Sequence, residues 1–156
     1  MAEGWIWPTE WRDYDDPVSG AHVRQLTSYK GNSHHPYFTN PGWYDRGRKM
    51  LFGSDRDNRT NLFGIDLETG EIEQITDLDP LPDLGFLCTC VNPKRDEAYF
   101  RYDRSLVAVD LKTRELRPLW KRPEGFRWSM VNCTADGKYV CVGVYEDLSD
   151  RFRIDL

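Results

Sequence analysis

The sequence predicts an all-β fold, a partial β-propeller of four-stranded antiparallel blades. Three observations carry this: a repeated cassette, short apolar runs bounded by turn residues, and an aromatic content of 13% that includes six tryptophans. The cassette begins Lys49-Met50-Leu51-Phe52, continues through Ser54-Asp55-Arg56 and ends in Asp66-Leu67-Glu68-Thr69-Gly70-Glu71. It returns as Ala98-Tyr99-Phe100, Tyr102-Asp103-Arg104 and Asp110-Leu111-Lys112-Thr113-Arg114-Glu115. Asp66 to Asp110 spans 44 residues and Phe52 to Phe100 spans 48. A period of roughly 40–50 residues made of short strands and tight turns fits one propeller blade per repeat.

Blade one is read as strands at 37–39, 49–53, 61–66 and 71–76, with turns through Asp45-Arg46-Gly47 and Glu68-Thr69-Gly70. Blade two follows at 86–91, 97–102, 106–111 and 115–120, and blade three at 128–131, 139–144 and 152–156. The blade repeats therefore run roughly over 37–76, 86–120 and 128–156. Each run has four to six residues, alternating or continuously apolar, between Gly, Asp, Asn and Pro. The Asp136-Gly137 pair between two apolar runs is a strong hairpin signal, because Gly accepts positive φ without steric cost. No segment of ten residues shows a clean helical period, so almost no helix is expected.

One strand precedes the first blade. Residues 16–27, Asp16-Pro17-Val18-Ser19-Gly20 onward, mirror Asp66 to Thr76 with one residue inserted. They read as the outer strand of a blade, a closing strand whose three companions lie elsewhere. One such strand, two whole blades and most of a third fall short of the four or more blades of a closed ring. Self-association through the open blade edges is expected.

The net charge of -5 opposes a nucleic-acid partner, which needs a basic face. It leaves room for an anionic ligand met by a local arginine cluster. No apolar run approaches the roughly 18 residues of a membrane span. The N-terminus lacks a basic region followed by an apolar stretch, so a cytoplasmic location is expected. Cys88 and Cys90 are two apart on a predicted strand, and with Cys133 and Cys141 they read as small buried thiols between sheets, without zinc-type spacing.

The run from Trp11 to Thr27 (WRDYDDPVSGAHVRQLT), then His34-His35-Pro36-Tyr37-Phe38, Met50 to Arg56, Asn61-Leu62-Phe63 and Asp66 to Glu71 resembles the N-terminal part of oligogalacturonate lyases. So does the tail from Tyr145 to Leu156. The resemblance implies a seven-bladed propeller that cleaves short galacturonate oligomers, as in pectin degradation, by β-elimination. In such chemistry a manganese-like divalent cation neutralises the substrate carboxylate, a histidine removes the C5 proton, and an arginine holds the acid group. The resemblance places the metal ligands and the base in later blades, so no metal ligand and no catalytic residue is assigned here. This chain alone is expected to be inactive. The implied partner is an acidic oligosaccharide, oligogalacturonate. The alternative is a non-catalytic TolB-like propeller acting as a scaffold or protein-binding module; a hydrolase lid has no Gly-x-Ser-x-Gly elbow to support it.

Four residues are candidate substrate contacts. His34, His35 and Tyr37 lead into the innermost strand of blade one, where a propeller binds at its channel mouth; the competing reading is a loop anchor. Adjacent histidines on a strand face opposite ways and would not share one metal. Arg56 is the fourth, for carboxylate recognition; its repeat at Arg104 equally suits an ion pair that serves every blade. Trp43, Trp120 and Trp128 read as core aromatics between blades, with sugar stacking as the alternative. The acidic run at 77–83 reads as a solvated loop between blades.

Overall fold

The computed structural model describes residues 4–81 and 88–149. The strand expected at 152–156 and the start of the one expected from residue 86 lie outside these. The described residues form fourteen strands: β1 (Ile6–Trp7), β2 (Arg12–Asp15), β3 (His22–Gln25), β4 (Ser33–His34), β5 (Trp43–Tyr44), β6 (Lys49–Ser54), β7 (Asn61–Asp66), β8 (Ile72–Gln74), β9 (Thr89–Val91), β10 (Glu97–Tyr102), β11 (Ser105–Asp110), β12 (Leu116–Lys121), β13 (Phe126–Cys133) and β14 (Val140–Glu146). Helix is limited to two single 3₁₀ turns at Asp45–Gly47 and Arg56–Asn58. Every pairing is antiparallel.

Blade one is the sheet β8-β7-β6 with β4 and β5 both on the inner edge of β6. Blade two is β9-β10-β11-β12, and β13-β14 begin blade three. β1 adds itself outside β8, with Ile6 opposite Glu73 and Trp7 opposite Ile72. Residues 16–27, read as a lone outer strand, contain β3, which pairs with β2 in a hairpin of its own.

Period-two alternation sorts the apolar side chains onto the two faces of each blade. Leu51, Leu62, Ala98, Phe100, Val107 and Val109 meet in the cluster between blades one and two. Their strand neighbours Tyr99, Leu106 and Ala108 turn the other way and pack with Val131 and Val142 between blades two and three. On the far face of blade one, Phe52, Phe63, Ile65 and Ile72 are covered by Trp7 and Leu26 from the N-terminal segment. Both faces of the central strands of the first two blades, β6, β7, β10 and β11, are thus largely buried, which explains why those strands read as continuous apolar runs, whereas the outer strand β12 is exposed along its length.

The same alternation corrects one reading of the thiols. Cys90 is 2% exposed, and burial pushes its thiol up. Cys141, on β14, lies opposite Asn132 and is exposed, because its neighbours Val140 and Val142 take the inward positions.

The cassette Asp-x-x-Ser/Thr-Gly folds the same way each time. Asp16 Oδ1 accepts from the Val18 and Ser19 amides, Asp66 Oδ1 from Glu68 and Thr69, and Asp110 Oδ1 from Lys112 and Thr113. A further amide, of Gly20, Gly70 or Arg114, donates back to the carbonyl of the same Asp at 2.8 Å. That last position is left-handed, at φ 71°, 77° and 65°, which favours Gly and is strained at Arg114. Arg114 is held there by an ion pair with Glu73 at 2.6 Å.

These turns predict an acid response. Backbone amides hold the Asp16 and Asp110 carboxyls below their ordinary range. For Asp66, burial raises the carboxyl and the amides of Glu68 and Thr69 outweigh it. The Arg127 guanidinium holds Asp147 at about 2. Each carboxyl releases its proton more readily folded than unfolded, so its stabilisation is present above the ordinary carboxylate range and is lost as pH falls below that range, for Asp147 toward about 2. Circular dichroism against pH is expected to show flat stability from neutrality to about pH 5 and a steep loss below about pH 4. Loss beginning near neutrality would contradict this.

Candidate functional site

The inner edge of blade one is interrupted. β4 pairs with the end of β6, Ser33 opposite Ser54 and His34 opposite Gly53. β5 pairs with its beginning, Trp43 opposite Met50 and Tyr44 opposite Lys49. Between them residues 35–41 leave the sheet, so Tyr37-Phe38-Thr39, expected as the innermost strand, forms a loop. Prolines at 36 and 41 explain the departure, since neither offers a ladder N–H.

A buried asparagine pins this loop. Asn40 is 1% exposed, and its Nδ2 donates to the carbonyls of Thr89 at 3.2 Å and Val131 at 3.0 Å. Those carbonyls belong to β9 and β13, the first strands of blades two and three, so one amide joins three blades. Next to it Tyr37 is 50% and Phe38 is 82% exposed, with ring centroids 4.3 Å apart.

His35 donates from Nδ1 to the Pro36 carbonyl at 2.7 Å. A carbonyl only accepts, so in the neutral ring the lone pair sits on Nε2. A Cβ at Gly42 would come within 3.4 Å of that nitrogen and 2.6 Å of the Leu51 carbonyl, so glycine is needed where the loop rejoins β6. His34 is exposed on β4, close enough to Asp55 for its charge to help depress that carboxyl, after the larger effect of the Asn32 side chain. A pocket of about 370 Å³ at this end is lined by residues including Tyr29, Asn32, Asp55 and Asp57. Its acids are engaged: Asp55 by the Asn32 amides and Asp57 by the Tyr29 hydroxyl.

Arg56 follows the same end of β6 that pairs with β4, but it is buried whereas the other three candidates are exposed. Its side chain is wholly buried, paired through both terminal nitrogens with the Glu10 carboxylate. Its guanidinium lies 4.9 Å from the Tyr29 ring centroid and 5.1 Å from that of Trp7, with Phe52 and Phe63 also within 6 Å. Glu10 also accepts from the Ser28 and Tyr29 amides. Burial raises its carboxyl, and Arg56 with these amides outweighs that, so it ionises below its usual range. The guanidinium expected to meet a ligand carboxylate is charge-paired with one within the chain, while its buried Nε finds no hydrogen-bond partner among the described residues. Arg104 caps the carbonyl of Arg122 and pairs with Glu124, a different arrangement at the equivalent position.

Two aromatics expected in the core are half-exposed, Trp43 at 51% and Trp120 at 41%. Trp120 stands edge-on to Trp128 at the boundary of blades two and three. Among the described residues no three His, Cys, Asp or Glu side chains gather to hold a metal ion. The donors present do not fit a manganese site.

Antiparallel blades stacked face to face, with a turn cassette repeated from blade to blade and an inner edge that opens into an exposed loop, define a propeller repeat protein. The profile of the oligogalacturonate lyase family matches residues 1–146, and the chain belongs to that family. It is 29% identical over 125 residues to an oligogalacturonide lyase of Pectobacterium atrosepticum and 30% identical over 125 residues to an oligogalacturonate lyase of Dickeya dadantii. Each alignment covers 80% of this chain and 31% of the relative; the chain spans about a third of the length of these curated relatives. A solved oligogalacturonate lyase in complex with manganese superposes with a TM-score of 0.77 at 29% identity, covering 87% of this chain and 36% of that one. A second, from Vibrio parahaemolyticus, gives 0.78 at 22% identity, covering 89% and 37%, a likeness of fold alone.

The Glu10–Arg56 pair yields a stability test. Glu10→Ala leaves a guanidinium buried without its counter-charge, which is expected to cost about 3–5 kcal/mol. Chemical denaturation that finds under about 1 kcal/mol, the range of an exposed pair, would show the pair to be solvated.

Proposed function

We propose that this chain supplies the first blades of an oligogalacturonate lyase and holds part of the substrate-binding mouth. The observation that supports this most is the loop 35–41, pinned by Asn40 and presenting His35 and Tyr37 beside His34 at the end of β4. Elimination removes a weakly acidic proton beside a carboxylate, which calls for a base and for neutralisation of the developing charge. In this reading the chain's own residues bind and orient: the Tyr37 ring packs on a sugar face, the His34 imidazole donates to a hydroxyl or carboxylate, and the His35 Nε2 lone pair accepts from a sugar hydroxyl. Arg56 has no part in contact; it holds the N-terminal segment against blade one. No step is routed through a metal, because among the described residues no three donors gather to hold one. The cytoplasm is the proposed location.

Incubation of the chain with digalacturonate and manganese is expected to give no unsaturated product by ultraviolet absorbance. Calorimetric titration with the same sugar is expected to show weak binding, reduced about tenfold by Tyr37→Ala, as for one lost stacking contact. Manganese-dependent product abolished by His35→Ala would move the active site into this chain. Binding indifferent to His34, His35 and Tyr37 would favour a scaffold.

We further propose that strand edges left open among the described residues, on β2, β3 and β14, associate with further strands. Tyr139 and Tyr145, 68% and 53% exposed, add apolar surface beside β14. Light scattering is expected to find oligomers of the isolated chain. A monomer with a cooperative melt above about 60 °C would contradict this.

A further inference from the structure

The aromatic head of the loop 35–41 is held from behind. Tyr37 is half-exposed and Phe38 is 82% exposed, so burial does little to place either ring. Asn40 places them instead. Its backbone amide donates to the Tyr37 carbonyl at 2.6 Å, closing a four-residue turn with the two rings at its head. Pro36 and Pro41 flank that turn and restrict the backbone on either side. The Asn40 side chain then ties the turn to blades two and three, Nδ2 donating to the Thr89 and Val131 carbonyls at 3.2 Å and 3.0 Å. A carboxamide nitrogen carries two hydrogens, one for each of these carbonyls. An ionised Asp of the same shape has none. Asn40, Thr89 and Val131 are each at most 1% exposed and lie within described blades, so the contact does not depend on what packs outside them.

We infer that Asn40 is the positioning residue of the mouth: by holding two blades at once it sets where Tyr37 meets a uronate oligomer. The choice of ligand rests on the function proposed above. Ligand contact at the loop and the alignment of blades two and three then form one linked equilibrium. A sugar that binds the pinned loop keeps the Asn40 amide closed, and a shift of β9 against β13 withdraws the loop from the sugar. Such linkage is reciprocal.

Titration of the chain with trigalacturonate, followed by nitrogen-15 NMR, tests this without any substitution. The Tyr37 amide is expected to shift. Exchange of the Asn40 Nδ2 hydrogens with solvent is expected to slow about tenfold at about ten times the dissociation constant, because the ligand opposes opening of the loop. The Asn92 Nδ2 hydrogens, on the Tyr99 hydroxyl and the Gly137 carbonyl, are the control and are expected to keep their rate. Asn40→Ala is expected to weaken binding about tenfold, and Asn40→Ala with Tyr37→Ala no more than Tyr37→Ala alone, since both remove one contact. Relative to the unsubstituted chain, Asn40→Asp is expected to bind as weakly at about pH 7 and to recover part of the loss toward about pH 5, where its buried carboxyl regains a proton to donate. A Tyr37 shift with unchanged Asn40 exchange, equal slowing at Asn92, or additive losses in the double variant would overturn the inference and leave the mouth intact. No shift at Tyr37 would remove the mouth and the inference together.

Discussion

Burying a guanidinium among aromatic rings is unfavourable until a carboxylate meets it, and this constraint organises the start of the chain. Arg56 lies between Trp7, Tyr29, Phe52 and Phe63, and Glu10 comes from a segment 46 residues away. The carboxylate in turn accepts the Ser28 and Tyr29 amides. One ion pair therefore fixes the position of β1, of the stretch after the β2–β3 hairpin, and of the turn after β6. Leu26 and Trp7 follow onto the far face of blade one.

Between blades, apolar burial supplies the attraction and buried amides set the alignment. Asn40 Nδ2 serves carbonyls of two different blades. Asn92 Nδ2 bonds the Tyr99 hydroxyl and the Gly137 carbonyl, linking blade two to the turn of blade three, while Asp96 takes the amide of Asp45 in blade one. Hydrophobic contact is non-directional and would allow the sheets to slide. A buried amide left unpaired costs about 1–3 kcal/mol, which penalises any offset.

The two ends of the blades consequently differ in chemistry. The end with His34 carries acids already engaged and an aromatic pair on a pinned loop. The end with Trp43 carries Arg46 and Lys94, whose local acids Asp45 and Asp96 pair with Arg48 and Lys112. Neither follows from the net charge of the chain, which averages over both.

Local chemistry was legible in the sequence. The Asp-x-x-Thr-Gly turns, the alternating apolar positions and the bounds of β7 and β10 depend on neighbours within a few residues, and so they can be read from the residues themselves. The two-histidine segment before blade one was visible for the same reason. What only the tertiary structure decided depends on partners far along the chain. Glu10 buries Arg56, which alone reads as a free cation. β2 claims the segment that resembled a lone closing strand. Pro36 and Pro41 were in view, but the loop they release becomes a fixed element only because Asn40 finds carbonyls 49 and 91 residues away. Trp43 looks like a core residue by composition, and it is half-exposed because its strand neighbour Tyr44 takes the position that packs between blades one and two. A repeat determines its own turns and strands; contacts between repeats determine which side chains remain for a ligand.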